Sequence, residues 1–398
     1  MTVIEDDRAA RPSRVALYRD ARARRIFFQA LAVILLLWLG WDLVANARSN
    51  LAARGILSGF GFLDRSAGFD VSQSLIPYSA TDTYRRLYVV GLLNTLLVAV
   101  LGIIFATILG FLIGIARLSQ NWLLARLAGG YVELVRNLPL LFQLLFWYLA
   151  VLGTLPAPRQ SVSLFGVMFL NNRGVVLPRP VFGDGTGLVL LAFGAATLAV
   201  WAWRAWAKRQ QATTGRTLPV LWPSLLLLLG LPLVAMLATG YPVSFEMPEL
   251  RGFNFAGGWR VIPEFVALLI GLTVYTAAFI AETVRGGILA VERSQSEAAF
   301  ALGLSRRRTM HLIVLPQALR MIVPPLTSHY LNLTKNSSLA VGIGYPDLFA
   351  VFAGTALNQT GAQAIEIIGI TMATYLALSL ATSALMNVYN ARLRLVER

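Results

Sequence analysis

The chain has 398 residues, of which 57% are hydrophobic and 13% charged, with a formal net charge of +15 and a mean hydropathy of +0.66. Soluble domains carry about 25% charged residues, so this composition excludes an ordinary soluble globule and points to a membrane protein. The absence of cysteine excludes disulfide and thiol chemistry, and two histidines, His311 and His329, cannot make a His-rich metal site. The basic residues sit in short clusters between apolar runs, which suits a lipid surface and not nucleic acid.

A span needs about 20 apolar residues. Eight stretches qualify, at 26–46, 88–116, 134–155, 187–206, 219–241, 263–284, 321–344 and 364–388. The expected fold is therefore an all-α polytopic membrane protein with about eight transmembrane helices. With the N-terminus inside, the cytoplasmic segments 1–25, 117–137, 204–218, 285–320 and 389–398 hold 23 basic residues. The outside segments 47–87, 156–186, 242–262 and 345–363 hold 10. That bias predicts cytoplasmic N- and C-termini in a multi-pass membrane protein. Arg24-Arg25, the apolar run and Ala45-Asn46-Ala47 resemble a secretory signal, but about 20 apolar residues exceed a signal's 7–15, so the run reads as a retained anchor.

The chain divides into an N-terminal segment, anchor and outside loop (1–86), a first core part (87–156), an inserted loop and helix pair (157–262), a second core part (263–390) and a tail (391–398). The first core part opens with Gly91-Leu92-Leu93-Asn94-Thr95-Leu96 and carries Gly110-Phe111-Leu112-Ile113-Gly114, a small-xxx-small spacing for close helix packing. It then runs through Glu133-Leu134-Val135-Arg136-Asn137-Leu138-Pro139. In the insertion, Trp201, Trp203 and Trp206 beside Arg204 and Lys208 read as an interfacial belt at the inner end of a span. Gly59-Phe60-Gly61-Phe62 and Gly252 to Trp259 read as outside turns lying on the membrane surface.

In the second core part Glu282 and Arg285, three residues apart on a helix near the inner end of its span, read as a structural ion pair. Between 294 and 316, Glu297, Ala298 and Ala299 are followed by Gly303 and then by Ile313, Leu315 and Pro316. Ser294 and Glu297 have capping-box spacing, the alanines favour a helix, Gly303 can end it in the left-handed conformation, and Ser305 can cap a second one. The result is a helical knob flanked by Arg306, Arg307 and Arg308. Further on, Pro324-Pro325 is expected to break the helix. Asn332, Lys335, Asn336, Ser337 and Ser338 follow as candidates for a solute path, because such residues are costly at membrane depth. Glu366, near the outer end of the last span, reads as interfacial.

The Glu297–Pro316 spacing resembles the EAA coupling loop of bacterial ABC-importer permeases. Together with the Gly91–Leu96, Glu133–Gln143, Ala281–Ile288 and Asn332–Leu339 segments, it resembles the polar amino-acid branch of those permeases, the histidine, glutamate, glutamine, arginine and opine group. The N-terminal anchor, long outside loop and inserted helix pair are similar to the larger permeases of the general L-amino-acid transporters of alpha-proteobacteria. The resemblance implies a type I importer permease of the bacterial inner membrane with a MetI-like core that moves amino acids, is coupled to the ATPase through 294–316 and catalyses nothing itself. It further implies a pair of cytoplasmic ABC ATPase subunits, a second permease in a heterodimer and a periplasmic amino-acid-binding protein. No phosphate-binding Gly-x-x-x-x-Gly-Lys-Ser/Thr run occurs, so ATP and Mg belong to the partner ATPase and no cofactor or metal is expected in this chain. An ion- or proton-coupled secondary transporter is the alternative; it would show internal repeats and ionisable residues in several spans, and beyond Lys335 there are few. An intramembrane enzyme would need a catalytic constellation that neither histidine has neighbours to form.

Overall fold

Apolar runs become helices here because backbone in hydrocarbon must satisfy its own N–H and C=O groups. The structure is a computed structural model that describes residues 21–53, 59–360 and 363–393. Most of the expected cytoplasmic segment 1–25 and the last five residues of the tail lie outside the described residues. Helix α1 (Ala21–Ala53) is exposed at every side chain from Arg24 to Asn46. Helix α2 (Tyr84–Ala116) starts at Thr83, whose side chain caps it by accepting from the Arg86 N–H. Helix α3 (Trp122–Asn137), capped by Asn121, and α4 (Leu140–Leu145), prolonged by wide π-type turns to Leu152, replace the single span expected at 134–155.

That correction has a local cause. Leu138 precedes a proline and is extended (φ −101°, ψ 132°), so α3 cannot continue, and the chain turns by 109°. The freed carbonyls at the end of α3 are met by the buried Gln143, whose Nε2 donates to the Val135 and Leu138 carbonyls at 2.9 and 3.0 Å.

The insertion brings four short strands, β1 (Val162–Leu164), β2 (Met168–Asn171), β3 (Gly174–Leu177) and β4 (Arg179–Phe182), then a helical hairpin of α5 (Thr186–Thr214) and α6 (Leu221–Ala238). Four more strands follow, β5 (Val243–Glu246), β6 (Glu249–Arg251), β7 (Asn254–Ala256) and β8 (Trp259–Val261). They form an antiparallel sheet in the order β1-β2-β3-β8 and two ribbons, β4-β5 and β6-β7. Gly252 to Trp259 thus lies in a small β module, where Phe255 stacks on Phe169 with ring centres 4.6 Å apart. Gly59 to Phe62 likewise is not a surface turn alone, since Phe62 is fully buried against Tyr84 and Phe352.

The second core part comprises α7 (Pro263–Leu289), α8 (Arg293–Ala301), α9 (Arg306–Thr309), α10 (Leu315–Asn336), α11 (Leu357–Thr360) and α12 (Ala364–Leu393). Among the described residues six helices are long and apolar enough to cross a membrane, or seven with the bent α3–α4 pair. The eighth expected span is α10, which carries Gln317, Arg320, Asn332 and Lys335 and is too polar to count by apolarity alone. The core forms where α2 meets α7. Gly110 and Gly114 allow that approach, because a Cβ on Gly110 would lie 2.6 Å from Ile280 and one on Gly114 2.8 Å from the Ala281 carbonyl. Helix α10 crosses α7 at Gly287, where a Cβ would run into Ile322.

Candidate functional site

One end of the core carries a knob. Helix α7 ends at Leu289, and α8 begins after Glu292, which caps it without a side-chain hydrogen bond. The expected Ser294/Glu297 capping box does not form: Ser294 lies inside the first turn, and its hydroxyl donates to the Glu292 carboxylate at 3.1 Å. The other local expectations hold. Gly303 takes φ 78°, the Leu304 N–H reaches back to the Ala299 carbonyl at 3.1 Å, and Ser305 caps α9 by accepting from the Arg308 N–H. Ala299 is buried, while Glu297, Ala298, Gly303 and Pro316 are exposed and Ile313 and Leu315 half-buried. Leu302 is 81% exposed at the tip, next to the three arginines, so the knob presents an apolar point with a cationic flank.

Polar contacts fasten this knob. The Gln120 side chain, in the loop between α2 and α3, faces the Arg306 guanidinium, and with its amide turned so that the oxygen points there it accepts at 2.6 and 3.0 Å. Gln317 Nε2 donates to Gln295 Oε1 at 3.4 Å. Deeper, Glu282 accepts from Arg285 at 2.6 Å, as the spacing predicts, and also from Arg117 at the end of α2. Arg117 was not legible as a partner because it is 165 residues away in sequence. The triad ties α2 to α7 within the last two turns or so of α7.

The five solute-path candidates do not converge. Helix α10 runs unbroken through Pro324 and Pro325, contrary to expectation, and the helix changes only after Asn336, where 3-10 turns (Ser337–Ile343) lead to Gly344 at φ 78°. Two prolines leave the Arg320 and Met321 carbonyls without their helical donors, yet packing of Ile322, Val323 and Leu326 in the core holds the helix. Lys335 and Ser338 line a groove of about 550 Å³ with Phe349, Thr371, Tyr375 and Ser379. Ser337 is fully buried, its hydroxyl donating to the Thr334 carbonyl at 2.8 Å. Asn332 is exposed and Asn336 half-buried, and neither borders the groove.

Behind the groove lies a polar cluster that the sequence reading missed. The segment after Gly344, expected outside, turns back into the protein. Asp347 is fully buried; its carboxylate accepts from the Ala350 N–H at 2.8 Å and from the Tyr375 hydroxyl at 2.9 Å. Asn94 and Thr95 hold this turn from α2: Asn94 Nδ2 donates to the Pro346 carbonyl at 2.8 Å, and Thr95 Oγ1 accepts from the Leu348 N–H at 3.0 Å. Gly91 makes room, since a Cβ there would lie 2.8 Å from Leu348 Cα. A lone acidic residue in an apolar stretch was the available signal. Glu366 is also more than interfacial, being 9% exposed and accepting from the Gly59 N–H at 2.6 Å. Among the described residues no group of three or more His, Cys, Asp or Glu comes together to hold a metal ion.

The arrangement puts a knob near one end of α10 and a groove with a cation at the other. Residues 188–395, from α5 through α12, match the family described as binding-protein-dependent transport system inner membrane component. The chain is 52% identical to the general L-amino acid transport system permease protein AapQ of Rhizobium johnstonii, over 97% of this chain and 96% of that one. It is 52% identical to the putative amino-acid ABC transporter permease protein YhdX of Escherichia coli, over 96% and 97%. It is 46% identical to the glutamate/glutamine/aspartate/asparagine transport system permease protein BztB of Rhodobacter capsulatus, over 96% of each.

Proposed function

The chain belongs to the binding-protein-dependent transport system inner membrane components, and from that premise we propose that it forms the channel half of an ATP-driven importer for a broad range of L-amino acids. The single observation that carries the substrate class is the 52% identity to a general L-amino-acid permease along nearly the whole of both chains. A separate ATPase subunit supplies hydrolysis, with ATP and Mg bound there. A periplasmic binding protein delivers the amino acid, and a second permease completes the path as a heterodimer. Both termini face the cytoplasm, which places the knob where an ATPase reaches it.

The geometry supports transmission through α10. Glu297, Ala298, Gly303 and Leu302 meet the ATPase, and α8 and α9 join the end of α7 to the start of α10. Helix α10 has 22 residues, so it carries a push on the knob about 33 Å, to the Lys335–Ser338 end. Close packing at Gly110, Gly114 and Gly287 and the Arg117–Glu282–Arg285 triad make α2, α7 and α10 move together, a rigid-body alternation. In the groove, Lys335 offers a cation to a carboxylate, and the Ser379 hydroxyl, which has no hydrogen-bond partner among the described residues, is left to meet a solute.

Purification from membranes should bring down an ATPase and a second permease. Proteoliposomes holding that assembly should take up glutamate, leucine and arginine only with ATP and binding protein. Uptake driven by a proton or sodium gradient without ATP would sink the importer reading.

A further inference from the structure

Between Asp184 and Glu246 the chain has no acidic residue, and the four cations of that stretch, Arg204, Lys208, Arg209 and Arg216, gather at the turn end of the α5–α6 hairpin. All four are exposed. Aromatic rings flank them: Trp201 is 72% and Trp222 74% exposed, and Trp203 and Trp206 stack with centres 5.2 Å apart. Trp201, Arg204 and Lys208 are spaced by three and four residues, so they share one stripe about 10 Å long, with the indole nearer the bilayer and the cations nearer its surface. The hairpin packs on itself through small residues, Ala196, Val200, Ala207 and Ser224, and most other side chains of both helices are exposed.

We propose that the turn end of this hairpin is a binding surface for the headgroups of anionic phospholipids in the inner leaflet. Charge decides the occupant: four cations uncompensated by any acid in 61 residues favour a phosphate-bearing anionic surface over a zwitterionic one. The aromatic rings sit where the interface begins and fix the depth of the cations. The carbonyl end of α5 alone would be served by one or two cations in its last turn, whereas Arg204 lies ten residues before Thr214. The proposal rests on the cytoplasmic placement of 204–218 given above.

The test uses the full-length protein in nanodiscs, with lipid chains brominated either on phosphatidylglycerol or on phosphatidylcholine. Trp201 emission, taken as the difference between the parent and Trp201→Phe, should be quenched more by brominated phosphatidylglycerol at equal mole fraction. That preference should fall about fivefold for each cation replaced, through Arg204→Gln, Lys208→Gln, Arg209→Gln and Arg216→Gln, and should weaken in molar salt. Equal quenching by both lipids around the parent overturns the proposal, as does a preference that survives all four replacements. A cysteine introduced as Thr213→Cys, in a chain otherwise free of cysteine, reports the side separately: labelling from outside intact cells would overturn the orientation, and with it the inner-leaflet assignment. If the fourfold variant fails to insert, the single variants and the salt titration still decide.

Discussion

Gly303 is the residue whose replacement tests the coupling knob most directly. Its φ of 78° lies in the left-handed region, and a Cβ built on it would meet nothing within 4 Å. The substitution penalty is therefore conformational and not steric. For an L-residue it is about 1–2 kcal/mol, less for Asn and more for a β-branched residue. At about 1.4 kcal/mol per factor of ten, Gly303→Ala should reduce the population of the knob's folded shape relative to opened ones by roughly five- to thirtyfold, and Gly303→Val by more. Gly303→Asn should remain near the parent. Membrane insertion should be unaffected, because the knob buries little beyond Ala299 and Thr309. The assay is binding-protein-stimulated ATP hydrolysis and glutamate uptake by the reconstituted assembly, measured for the three variants together. The expected order of coupling is parent, Asn, Ala, Val. Full coupling in Gly303→Val would refute the reasoning. Equal loss in Asn and Val would show that the ATPase needs the empty space at that position and not the backbone angle.

Two other perturbations separate packing from transport. Glu282→Ala leaves Arg117 and Arg285 facing each other, with Arg117 only 15% exposed, so it should cost about 1.5–3 kcal/mol, seen as a lower Tm in detergent, while Arg285→Lys should cost less; an unchanged Tm in Glu282→Ala would mean the triad does not join α2 to α7. In the groove, Lys335→Gln and Ser338→Ala should change the ratio of glutamate to arginine uptake, whereas Asn332→Ala, away from the groove, should leave it unaltered; a ratio that moves only with Asn332 would place the path on the other face of α10.

Much of the knob's shape was legible because its rules are local. A glycine followed by Ser305 ends one helix and begins another wherever it occurs, and Glu282 and Arg285 meet because three residues on a helix bring them to one side. The spans were legible for a similar reason: hydrocarbon permits little besides helix, so apolar length alone locates α1, α2, α5, α6, α7 and α12. Ser294 shows the limit even of local rules, since Glu292 competes for its hydroxyl.

What the sequence left open depended on neighbours distant along the chain. Pro324 and Pro325 remove two donors in any context, and only the packing of α10 against α7 lets the helix continue through them. Asp347 looked like a loop residue in water until Asn94 and Thr95, some 250 residues earlier, and Tyr375, 28 later, enclosed it. Arg117 completed the Glu282 pair from the end of another helix. Beyond the local hairpins β1-β2-β3 and β6-β7, β3 met β8 and β4 met β5 across the whole α5–α6 hairpin, pairings that short runs of three or four residues cannot announce by their own periodicity. The local chemistry of each helix end was written in consecutive residues; the burial that sets the cost of each charge was decided by contacts between residues hundreds of positions apart.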